Sequence, residues 1–101
     1  MSDPTVPDID TLLHEPVRLR LLTFLSMLER ADFMYLLRQS GVSKGNLSVQ
    51  MAKLEEAGIV SVDKELVDGR PRTTYSLSAK GRKALSQYKR TMQEVLSKLP
   101  D

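Results

Sequence analysis

The residues with chemistry to offer lie in two short runs of this chain, and neither has the makings of a reaction centre. The first is Lys44-Gly45-Asn46-Leu47-Ser48-Val49-Gln50-Met51-Ala52-Lys53. Asn46, Ser48 and Gln50 carry the amides and hydroxyl that hydrogen-bond to base edges, and Lys44 and Lys53 carry the point charges that contact phosphates. The second run, Val67-Asp68-Gly69-Arg70-Pro71-Arg72, sets two guanidiniums just after a turn. Arginines on a projecting turn suit a narrow minor groove, where negative potential is concentrated. Taken singly, each run reads more simply as an ordinary solvated helix face or a charged loop. Their proximity in sequence favours a shared polyanionic partner.

The remaining reactive side chains do not assemble into anything. His14 is the only histidine and there is no cysteine, which removes disulfides and thiolate metal sites. Glu55 and Glu56 are neighbours on a predicted helix and point in different directions, so they make no carboxylate dyad. The five glycines form neither a dinucleotide-binding nor a Walker pattern. The expectation is therefore no enzyme, no metal and no cofactor.

Charge is unevenly distributed. The net value is only +2, but residues 1–69 hold 7 Lys/Arg against 11 Asp/Glu (net −4), whereas residues 70–101 hold 8 against 2 (net +6). Such asymmetry is a sequence hint of polyanion binding. The acidic N-terminus and the absence of a long apolar block imply no secretory signal and no membrane span, so a cytoplasmic protein is expected.

The elements that must position these runs follow from periodicity. Residues 1–9 are polar and proline-punctuated and are expected to be flexible, with Asp8 or Asp10 capping a turn through Leu12 and Leu13. Pro16 suits a first helical position. Beyond it Val17, Leu21, Phe24, Leu25 and Leu28 recur at helical spacing, with Arg18 and Arg20 mostly off that stripe. Asp32 caps a short helix from Phe33 to Ser40 that Gly41 ends, and Val42 plugs the turn that follows. Ser43 caps a third helix, Lys44 to Ala57, whose buried stripe is Leu47, Met51 and Leu54. Gly45, Asn46, Ser48, Val49, Ala52 and Lys53 fall on the other side, a small and polar face suited to close approach. Gly45 costs about 1 kcal/mol of helix propensity relative to alanine, which a close backbone approach to DNA would explain. After Gly58 the period drops to two, with Val60 and Val62 facing one way, and Asp68-Gly69 turns the chain into the strand Arg72 to Leu77. Ser78 caps a last helix of about 20 residues. The fold class is mainly α with a small β-hairpin (α+β), in the order ααα-ββ-α.

Two stretches, Leu47 to Val60 and Asp68 to Gly81, resemble the recognition helix, wing and following helix of winged helix-turn-helix regulators of the MarR and ArsR type. Glu15 to Leu22 is similar to their opening helix, so the resemblance spans roughly residues 10–90. It implies a DNA-binding domain over residues 10–77. Lys44, Gly45, Asn46, Ser48, Gln50 and Lys53 would contact the major groove, and Arg70 and Arg72 of the wing (67–72) the minor groove. It also implies a homodimer on pseudo-palindromic double-stranded DNA, for which a repressor is the expected role. The chain is shorter than full MarR proteins and lacks the cysteines of thiolate-sensing ArsR members, so no effector ligand is assigned.

The last helix, residues 78–101, adds its own argument for the dimer. Leu85, Tyr88, Met92, Val95 and Leu99 recur at spacings of 3, 4, 3 and 4, a coiled-coil seam. A helix of 20 residues is about 30 Å long, more than this core needs. The competing expectation is that it folds back on its own domain. Two other functions stay open at this point: a winged helix that binds protein in place of DNA, and one that binds RNA.

Overall fold

The computed structural model describes residues 5–101. The elements are α1 (Pro16–Met27), β1 (Ala31–Asp32), α2 (Phe33–Ser40), α3 (Lys44–Glu56), β2 (Val60–Val67), β3 (Arg70–Leu77) and α4 (Ala79–Ser97). This is the α+β order ααα-ββ-α with one addition. The two residues of β1 pair antiparallel with β3, Ala31 opposite Tyr75 and Asp32 opposite Thr74, giving a three-stranded sheet in the order β1-β3-β2. A two-residue strand has no period to read, so sequence patterning does not reveal it. Its place in the fold is physical: it pairs the edge of β3 that would otherwise present unsatisfied backbone groups.

Of the N-terminal segment expected to be flexible, residues 1–4 lie outside the described residues. Residues 5–9 carry no regular structure, although Ile9 packs half-buried against the core. Between the two aspartates left open by the sequence, Asp10 caps the turn. Its Oδ1 accepts from the backbone N–H of Leu12 (2.9 Å) and Leu13 (3.3 Å), which sends the Leu13 side chain fully inside.

Helix α1 is the hub. Pro16 opens it as expected, but its cap is Glu15, whose Oε1 accepts from Val17 N–H and Oε2 from Arg18 N–H. Leu21, Leu22 and Leu25 are fully buried, while Val17, Leu19, Phe24 and Leu28 are half-buried around them. The helix is enclosed on more sides than a single stripe predicts, so Leu22 is core and Arg18, expected off the packed face, is only 12% exposed.

The other caps follow the sequence. Asp32 Oδ1 accepts from Tyr35 N–H, Ser43 Oγ from Asn46 N–H and Ser78 Oγ from Gly81 N–H. Leu47, Met51 and Leu54 seat α3 on the core. In the hairpin, Asp68 and Gly69 both adopt positive φ (+52° and +75°), the two-residue type I′ turn whose twist matches paired strands. Val60, Tyr75 and Leu77 anchor its base, and the outer half around Lys64–Glu65 and Arg70–Arg72 is solvent-exposed. The outer half of the wing is therefore held chiefly by backbone pairing between β2 and β3. Among the described residues no helix is long and apolar enough to cross a membrane.

Candidate nucleic-acid interface

The candidate reading helix presents its groups at graded depth. Lys44, Gly45, Ser48, Val49, Ala52 and Lys53 are exposed, whereas Asn46 and Gln50 are half-buried along one flank. A Cβ at Gly45 would meet no atom of this chain within 4 Å, so nothing inside the fold requires glycine there. Val49, about half exposed, is the larger apolar member of the face beside Ala52. A branched aliphatic group in that place suits a thymine methyl.

Gln50 and Asn46 are not independent side chains. Gln50 Nε2 donates to Asn46 Oδ1 at 3.0 Å, and Arg18 Nη1 donates to Gln50 Oε1 at 2.9 Å. Arg18 also donates from Nε to the Leu12 carbonyl at 2.6 Å. Its guanidinium lies 3.9 Å from Glu15 Oε2. Hydrogen bonding from the Arg18 backbone N–H is the main reason the Glu15 carboxyl sits below the usual carboxylate range, with the Val17 N–H and the charges of Arg18 and Lys53 adding to it against some desolvation. Arg18 was invisible as a site residue because only the packing of α1 against α3 brings it to Gln50.

The wing arginines differ from one another. Arg70 follows the turn directly and is exposed. Arg72 sits lower, opposite Glu65 on β2, with its Nε 4.0 Å from Asp32 Oδ2. Arg72 lines a cleft of about 520 Å³ together with Lys44 at the start of α3 and Arg38 on α2. Three cations thus share one concavity between helix and wing, with Asp32 the carboxylate on its wall. Arg38, like Arg18, is a residue that sequence reading missed; its signal is a lone basic group in the last turn of α2.

Part of the C-terminal positive charge is used elsewhere. Lys80 Nζ donates to the Ala57 carbonyl and so closes the end of α3. Arg90 donates to Ser86 and Gln87 within its own helix. His14, at the domain surface, has its Nδ1 2.7 Å from the Tyr88 hydroxyl.

The seam residues of α4 divide. Tyr88 is 7% exposed and belongs to this chain's own core, as the fold-back alternative requires for that residue. Leu85 and Met92 are half-buried and line an open apolar groove of about 540 Å³ between α1 and α4, with Leu19, Leu77 and Leu96. Val95 is half-buried, and Leu96 and Leu99 are 57% and 62% exposed.

Comparison with known proteins agrees with this architecture. An uncharacterized protein of Methanocaldococcus jannaschii is 35% identical over 77 residues, covering 76% of this chain and 84% of that one. A transcriptional regulator homologue from Pyrococcus horikoshii OT3 superposes with a TM-score of 0.80 at 28% identity, over 85% of each chain. A regulator of the MarR family from Enterococcus faecalis V583 shares the fold, with a TM-score of 0.65 at 18% identity over 88% of this chain and 86% of its own. A transcriptional regulator of the ArsR family shares it too, with a TM-score of 0.60 at 21% identity over 88% of this chain and 87% of its own. A family model described as a winged helix DNA-binding domain matches residues 17–96, and the chain belongs to that family.

Proposed function

We propose that the protein is a homodimeric, sequence-specific regulator of transcription that binds double-stranded DNA. Helix α3 enters the major groove and the wing, residues 67–72, rests on the minor groove. The observation that carries this reading is the shared cleft of Arg38, Lys44 and Arg72, which joins the start of α3 to the base of the wing. A phosphate backbone running between helix and wing would meet cations from both sides. Lys53 and Arg70 extend the positive surface outward, and Asn46, Ser48, Val49 and Gln50 supply base-directed groups. A repressor is the role proposed, a dimer seated on an operator excluding other proteins from that stretch of DNA.

The dimer is supported by shape. The radius of gyration is 16.1 Å, against about 13 Å for a compact chain of 100 residues. An apolar groove with Leu96 and Leu99 exposed beside it is the kind of surface a second copy of α4 would cover. To read two half-sites one turn of DNA apart, a two-fold pairing there would have to hold the two α3 helices about 34–36 Å apart.

The test is a fluorescence-anisotropy titration against a randomised duplex pool at several salt concentrations, with the bound fraction sequenced. Steep salt dependence and an enriched inverted repeat are expected. Weak binding with no enriched site would overturn the reading in favour of a protein-binding module.

A further inference from the structure

We propose that Arg18 is a positioning residue that sets the direction of two side-chain amides on α3, so that Asn46 turns its oxygen to Gln50 and leads toward DNA with its Nδ2 donors. The inference rests on the DNA-reading role above and deepens it by naming the base chemistry that is read.

A guanidinium has five N–H donors and no acceptor. Whatever Arg18 binds must therefore offer oxygen. Its Nε is committed to the Leu12 carbonyl and its side chain is 12% exposed, so the group is held in place at the foot of α1. Side-chain amides are otherwise ambiguous, because their oxygen and nitrogen have nearly the same shape. Here the donor-only neighbour removes the ambiguity: Gln50 turns Oε1 to Arg18, which leaves Nε2 pointing the other way.

The constraint then passes on. Gln50 Nε2 donates to Asn46 Oδ1 at 3.0 Å, so the second amide is also oriented. Asn46 is fixed at its backbone as well, since its N–H donates to the cap Ser43. Oδ1 keeps a second lone pair but is turned along the helix to Gln50, while Nδ2 keeps both of its N–H bonds for a ligand.

The consequence is a base preference. An asparagine that reads adenine in the major groove needs its oxygen for N6 and its nitrogen for N7. Asn46 has its oxygen turned to Gln50 and leads with the nitrogen. It matches acceptor edges, namely O6 and N7 of guanine or O4 of thymine. Guanine, with two adjacent acceptors for two N–H groups, fits best.

Gln50→Glu tests this directly. The carboxylate still accepts from Arg18 but has no N–H for Asn46, which must turn Nδ2 inward and Oδ1 outward. The randomised-pool selection on this variant should exchange guanine or thymine under Asn46 for adenine or cytosine, with at least a tenfold change in the ratio. An unchanged preference in a variant that still binds would overturn the proposal. The free protein supplies a second readout. In side-chain ¹⁵N–¹H spectra, one Gln50 Nε2 proton should exchange slowly, and Arg18→Met, checked for folding by circular dichroism, should abolish that protection. Unprotected Gln50 protons in the wild type would overturn the relay whether or not DNA binds. A protected relay in a protein with no affinity for duplexes would overturn the base-reading step alone.

Discussion

Gly81, in the first turn of α4, stands directly against the backbone carbonyl of Ile59, close enough that any Cβ would overlap that oxygen and press on the Ile59 side chain. The approach is enforced from several sides. Ser78 Oγ donates to the Gly58 carbonyl at 2.6 Å while accepting from Gly81 N–H, and Ser78 N–H donates to the Ile59 carbonyl. Together these contacts bolt the start of α4 to the exit of α3, which fixes both the wing and the groove relative to the reading helix.

Gly81→Ala therefore sets two effects against each other. Helix propensity alone favours alanine by up to ~1 kcal/mol. Overpacking against a backbone atom costs about 1–3 kcal/mol and has little means of relief. The clash should win, lowering the urea midpoint. An unchanged or raised midpoint would show that α4 can slide on α3.

Gly45→Ala should behave in the opposite way. No atom of this chain lies near the added methyl, so the free protein should gain stability, by at most ~1 kcal/mol. If the backbone of α3 approaches DNA closely, affinity should fall despite that gain. Thermal melting and anisotropy on the same preparation separate the two, and equal or tighter binding would remove the reason offered for glycine at this position.

How much of this was legible beforehand depended on distance along the chain. Asp32, Ser43 and Ser78 cap their helices through bonds to residues three ahead, and Asp68-Gly69 makes its turn from its own φ preference, so all four could be read locally. Arg18 and Gln50 are 32 residues apart, and no local rule pairs them. Arg38, Lys44 and Arg72 come from three elements that meet only when α2, α3 and the sheet pack. The α4 seam had the reverse difficulty. Its spacing of 3 and 4 fits a partner helix and the chain's own core equally well, and Tyr88 took the core.

The Glu15 cap gives a pH dependence with a definite sign. Its carboxyl is held below the usual value of 4.5 in the folded protein, chiefly by the Arg18 N–H. A depressed carboxylate contributes stability that is present above the unfolded-state value and is lost as pH falls through the folded one. Glu15→Gln should thus be less stable than wild type at pH 7, with the difference closing on acidification below about pH 4. Urea titrations of both proteins across that range check it, and a difference that persists at low pH would mean the side chain acts by packing. At the alkaline end Tyr75 acts in the other direction. Burial, then the Glu55 carboxylate, raises its hydroxyl, so its contribution is lost as pH rises through the folded-state value.

Arg38→Ala separates phosphate contact from base reading. Losing one phosphate contact should weaken binding to all duplexes alike and reduce the slope of log K against log salt by about 1. Replacing Asn46 should instead change which bases are preferred, by ~1–3 kcal/mol for a good contact. An unaltered salt slope in Arg38→Ala would place the phosphate backbone outside the cleft.

The dimer prediction turns on which residue of α4 is altered. Met92→Glu should monomerise the protein, but Met92 also packs against the chain's own core, so a loss of dimer could reflect a damaged fold. Leu96 lines the same groove and is 57% exposed, so Leu96→Glu places a charge at the proposed interface with little cost to the monomer. Sedimentation equilibrium should show half the wild-type mass for Leu96→Glu, with a near-native melting curve. Its affinity for a single half-site should then be retained while affinity for the inverted repeat falls, because only the dimer gains from two sites at once. A wild-type mass for both Leu96→Glu and Met92→Glu would move the partner contact away from the α1–α4 groove.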